Sequence, residues 1–142
     1  MTARFHCLTL LAAAALGCSG LAHAKDSWRV VFENTDMTVE VNDDSISYRE
    51  DAESVFGIGE VRTRPASGTS SMRDGSRAEE VWMRVEVDCG GTLRYRALEI
   101  GRTVHGKQER KAVSDKSWHP YTTETPQESF GYAICEPGEG AG

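Results

Sequence analysis

The sequence predicts an α+β fold: a single antiparallel sheet of five to six strands, closed by one C-terminal helix and one disulfide. Three observations carry this expectation. Apolar residues alternate with polar ones at the two-residue period of half-buried strands in several separate stretches. A helix-start signal opens a short amphipathic segment at Thr125-Pro126-Gln127-Glu128. An even pair of cysteines, Cys89 and Cys135, remains once the N-terminal segment is set aside.

That segment, residues 1–24, reads as a secretory signal. Arg4 supplies a positive charge, Leu8 to Leu16 a short apolar run, and Ala22-His23-Ala24 a small-x-small cleavage site ahead of Lys25. The run is too short for a spanning helix, which needs about 20 residues. Leu16-Gly17-Cys18 carries a competing reading, since it is similar to the site at which bacterial lipoproteins are cut and acylated on cysteine; a lipid on Cys18 would tether the domain to a membrane. Either way the remainder, residues 25–137 with a polar tail at 138–142, is the size of one domain with one core.

The first strands follow at once. Trp28, Val30 and Phe32 alternate with Arg29 and Val31, and Met37, Val39 and Val41 alternate with Thr38 and Glu40; Asn34-Thr35-Asp36 between them is turn chemistry, so the opening reads as a hairpin. Asn42-Asp43-Asp44 reads as an acidic turn, after which Ser45-Ile46-Ser47-Tyr48 extends the pairing or starts a short strand. Val55 to Thr63 is the next extended stretch, with Gly57 and Gly59 on one face where they predict a bulge or close backbone packing. Residues 64–80 are polar and rich in turn formers and read as a long mobile loop.

The clearest strand comes next, with Val81, Met83, Val85, Val87 and Cys89 on one face and Trp82, Arg84, Glu86 and Asp88 on the other. Gly90-Gly91 turns the chain into a partner strand in which Leu93, Tyr95 and Ala97 alternate with Arg94 and Arg96, and pairs with Glu86 or Asp88 would contribute little if exposed. A further strand is expected near Arg102 to His105, then polar loops to Glu124. In the closing helix Phe130, Ala133 and Ile134 form the apolar face, and Pro137 stops it.

A disulfide between Cys89 and Cys135 is the economical pairing in an oxidising compartment, and closing that loop is worth roughly 4 kcal/mol on the chain-entropy account. It would fasten the helix to the central hairpin. The formal charge of −6, one unit more negative after loss of Arg4, argues against nucleic acid as partner.

Sites of chemistry are sparse. His105 and His119 lack partners at metal-ligand spacing, Asp115, Ser117 and His119 cluster without a nucleophile elbow, and Asp43-Asp44 with Glu40 lacks the spaced oxygens of a calcium loop. No catalytic residue, metal ligand or cofactor is therefore assigned. Lys107 to Lys111 reads as a charged loop. Trp82 beside Arg84 is either an exposed interface anchor or a residue covered by a second layer. Trp82, Arg84, Arg94 and Arg96 make up the candidate binding surface.

The landmarks Trp28, Asp44-Ser45-Ile46, Val87-Asp88-Cys89 followed by Arg94-Tyr95-Arg96, Trp118 with Pro120, and Ala133-Ile134-Cys135 resemble, in that order, the surface-adhesin protein E family of small exported bacterial proteins. The likeness spans residues 27 to 136. It implies an antiparallel sheet with a C-terminal helix tied by the two cysteines, and a host-matrix partner such as vitronectin or laminin. The long polar 64–80 segment departs from the family, and no adhesive motif carries over residue by residue.

The function expected on these grounds is an exported, noncatalytic binding module of the periplasm or cell surface, recognising a protein or envelope component. Two rivals stand beside it: a small periplasmic enzyme or metal carrier using His105, His119 and nearby carboxylates, and an envelope subunit that assembles through a sheet edge.

Overall fold

A computed structural model describes residues 27–136. The expected signal peptide, the Cys18 alternative and the 138–142 tail lie outside the described residues. The sheet and single C-terminal helix are as expected. Six antiparallel strands run in the order β1 (Trp28–Glu33), β2 (Met37–Glu50), β3 (Val55–Pro65), β6 (Glu80–Asp88), β7 (Arg94–Val104), β8 (Lys107–Ala112). A two-residue ribbon, β4 (Ser70–Ser71) with β5 (Arg77–Ala78), stands apart, and β9 (His119–Pro120) pairs with the start of β7.

The turns follow side-chain chemistry. The Asn34 carboxamide oxygen accepts from the backbone N–H of Asp36 and Met37, and Asp51 accepts from Glu53 and Ser54 at the β2–β3 turn. Between β7 and β8 the chain reverses over two residues, His105 and Gly106, both at positive φ (49° and 71°), the conformation that matches the twist of a tight hairpin.

Four local expectations are corrected. Asn42-Asp43-Asp44 is a bulge inside β2, where the register slips between Asn42 and Ser47 and Arg29 grips Asp43. A second slip, between Val30 and Phe32, turns Phe32 to the core side, away from the face of Trp28 and Val30. The 64–80 segment is not one long loop: β3 continues to Pro65, and the rest folds into the β4–β5 hairpin, whose Ala78 is fully buried and whose tip is held by Arg102 bonding to Asp74 and Ser76. Lys107 to Lys111 is the edge strand β8. It lacks apolar alternation because both of its faces meet solvent, and it carries the charged side chains typical of open sheet edges.

Helix α1 (Pro126–Cys135) begins as its sequence dictates. Thr125 caps it by accepting from the Glu128 N–H, and Glu128 reaches back to the N–H of Glu124, one residue earlier than in the usual reciprocal box. Its buried face, Phe130, Ala133 and Ile134, packs on Val39, Val41, Val61, Val85 and Val87. Ile134 sits over Gly57 and Gly59, and a Cβ on Gly57 would lie 2.6 Å from its Cγ2. The Cys89–Cys135 disulfide, with Cα atoms 5.6 Å apart, closes the same junction. Gly57→Val should therefore push Ile134 out of its seat and lower stability by about 2 kcal/mol, read from urea unfolding with secondary structure retained.

Candidate functional site

Among the described residues, no second helix covers the face of the sheet opposite α1. Its outward positions form rungs that run across the strands. One rung reads Glu40, Arg62, Trp82, Gly101 and Arg110 on β2, β3, β6, β7 and β8. The next reads Asn42, Glu60, Arg84, Glu99 and Ala112, and beyond the bulges follow Ser47, Ile58, Glu86 and Arg96, then Arg49, Phe56, Asp88 and Arg94. Seven arginines, at 49, 62, 64, 84, 94, 96 and 110, thus share one face.

Three carboxylates lie beneath them: Glu40 is 4% exposed, Glu86 3% and Asp88 6%. Glu40 accepts from Arg62 at 2.7 Å and Arg64 at 2.8 Å. Glu86 accepts from Arg49 at 2.7 Å and Arg96 at 2.6 Å. Asp88 takes Arg94 at 2.9 Å, the Ser54 hydroxyl and the Gly90 N–H. Burial by itself would raise the Glu40 and Asp88 pKa values. The bonds and charges of Arg62 and Arg64 on Glu40, and of Ser54, Gly90 and Arg94 on Asp88, outweigh it and hold both carboxyls below their ordinary range. Both stay ionised into mild acid.

Aromatic rings order the same guanidiniums. Arg62 lies 4.1 Å from the Trp28 ring centroid, Arg110 4.0 Å from Trp82 and Arg49 4.3 Å from Phe56, while Arg94 and Arg96 both lie over Trp118. Trp118 arrives on the chain leading into β9 and leans on Phe56 at 5.7 Å. Arginine stems and rings thus form the covering layer on this side.

The four residues singled out from the sequence all fall on this face, in different roles. Trp82 is only 3% exposed, roofed by Arg110 and packed into the space above Gly101, where any Cβ would collide with its ring. It is covered, and the exposed-anchor alternative does not hold. Arg94 and Arg96 pair with Asp88 and Glu86 as their strand positions predict, and because both carboxylates are buried the condition under which such pairs contribute little is not met. Arg84 is exposed and has no ion pair among the described residues. Sequence reading missed Arg49, Arg62, Arg64, Arg110 and Trp118; the available signal was that Glu40 and Arg62 occupy outward positions of strands already recognised, whereas Arg64 fell in the segment read as a loop.

The other candidates scatter. His105 is in the β7–β8 turn and His119 in β9. The Ser117 hydroxyl donates to Asp115, which leaves that cluster without a serine-to-histidine bond. Glu40 and Asp43 are bonded to separate arginines, and no group of three His, Cys, Asp or Glu side chains among the described residues is placed to hold a metal. No helix among the described residues is long and apolar enough to cross a membrane. Comparison of the chain with protein-family models, with curated proteins and with solved structures returns no match.

Removing a buried carboxylate should be far more damaging than removing an outward arginine. Glu86→Gln should lower stability by about 3 kcal/mol, because Arg49 and Arg96 lose their shared counter-charge. Arg84→Ala should stay within about 0.5 kcal/mol of the parent. Chemical denaturation of the two variants side by side checks the contrast.

Proposed function

We propose that this protein is an exported, noncatalytic binding module whose arginine face recognises an acidic partner, a protein or envelope component presenting clustered carboxylates. The observation that carries this reading is the layered arrangement of the face. Negative charge is buried in Glu40, Glu86 and Asp88, while the arginines that cover them stay partly exposed, with Arg49, Arg64 and Arg94 close to half, on a chain whose formal charge is −6. Arginine held flat by rings and inner carboxylates loses little freedom on binding, and its fork matches a carboxylate in two bonds.

Export is supported by the three-part N-terminal signal and by a disulfide, which persists in oxidising compartments. The likeness to the surface-adhesin protein E family, drawn on the sequence landmarks, points the same way and makes matrix glycoproteins the first partners to try.

Surface plasmon resonance against matrix and envelope proteins tests the proposal. A saturable partner should be weakened at least tenfold by Arg84→Glu combined with Arg64→Glu, and progressively by added salt. Absence of any saturable partner, or a partner indifferent to both changes, would overturn it.

A further inference from the structure

The side of the sheet that carries α1 is only partly covered by it. Helix α1 packs on β1, β2, β3 and β6. Beyond its reach, at the other end of the strands, lies an apolar floor of Val81, Met83 and Ile100, with Met72 at the tip of the β4–β5 hairpin closing in from above. These residues bound a furrow of about 440 Å³, and Ile100 is 43% exposed within it. An adjoining trough of about 460 Å³, bounded by Met37, Thr63 and Pro65, meets it at Val81. Each volume lies within the roughly 300–1,000 Å³ typical of small-molecule sites, which are mostly apolar with a few placed polar groups.

The hairpin roof is fixed in place. Arg102 bonds to Asp74 at 2.7 Å and to Ser76 at 2.9 Å, and the Glu79 carboxylate accepts from the Gly106 N–H. The rim is cationic by a definite route. Register puts Lys107, Glu109 and Lys111 of β8 on this side, opposite Val104, Arg102 and Ile100. Glu109 is taken up by Arg102 at 2.8 Å, whereas Lys107 and Lys111 have no ion pair among the described residues. An otherwise acidic protein thus sets one unneutralised ammonium group, that of Lys111, at the mouth of an apolar furrow and directly beside Ile100.

From this juxtaposition we infer that the furrow is a binding site for a free long-chain carboxylate, its alkyl chain lying along Met72, Val81, Met83 and Ile100 beneath the hairpin and its head group at Lys111. Two methionines suit such an occupant, since their unbranched side chains adapt to a flexible chain. The site is on the opposite face from the arginine layer and stands independently of the reading proposed for that layer.

Isothermal titration of the native protein with dodecanoate below its micelle concentration tests the inference, with dodecyl maltoside and dodecyltrimethylammonium as neutral and cationic controls. One saturable site is expected, with affinity rising by up to about fourfold per added methylene until the furrow is full. Ile100→Asp should weaken binding at least tenfold and Lys111→Glu about fivefold; both side chains are exposed, Ile100 on β7 and Lys111 on the edge strand β8, and unchanged melting would show that the fold is kept. No saturable site, equal affinity for the controls, or indifference to both substitutions would overturn it. So would a concentration-dependent dimer abolished by Ile100→Asp, which would make a second copy the occupant.

Discussion

The rest of the structure depends on the junction at which α1 meets the sheet. Ile134 fits over two glycines of β3, and the Cys89–Cys135 bond closes the contact from the end of β6. The terminal carbonyls of the helix, which no further turn can satisfy, are taken by the sheet: the Tyr48 hydroxyl donates to Ile134 and Arg29 donates to Ala133. A ten-residue helix is too short to persist alone in water, so its place is set by packing, by these two bonds and by the bridge. Position and orientation follow together.

One short helix cannot cover a six-stranded sheet, and the two remaining surfaces are handled differently. On the opposite face, arginine stems and aromatic rings take the part of a second apolar layer, with Glu40, Glu86 and Asp88 balancing charge from below. Burying a carboxylate is costly unless it is paired and fully bonded, and each of the three is. At the far end of the α1 side, the β4–β5 hairpin arches over the strands instead and leaves a furrow. On the opposite face, the inner ion pairs hold the outer guanidiniums in place.

The strands with one apolar face, the α1 boundaries and the cysteine pairing were legible because each rests on local chemistry: alternation in Val81–Cys89, a capping threonine before Pro126, and one remaining pair of sulfurs. The bulges were not. The slips after Val30 and Asn42 arise from how neighbouring strands pair, and the first of them reverses which face Phe32 meets without any mark in the sequence. Strand β8 was hidden because a strand wet on both faces has no apolar period. Trp82 shows the same limit: its strand position was evident, but its cover comes from Arg110, 28 residues later and two strands away.

A non-reducing peptide map of the native protein, with free thiols alkylated beforehand, tests the clamp most directly. The peptides bearing Cys89 and Cys135 should emerge as one linked species free of label. Recovery of the two as separate, alkylated peptides from correctly folded protein would mean that the helix is held by some other means and that the architecture described here is wrong at its foundation.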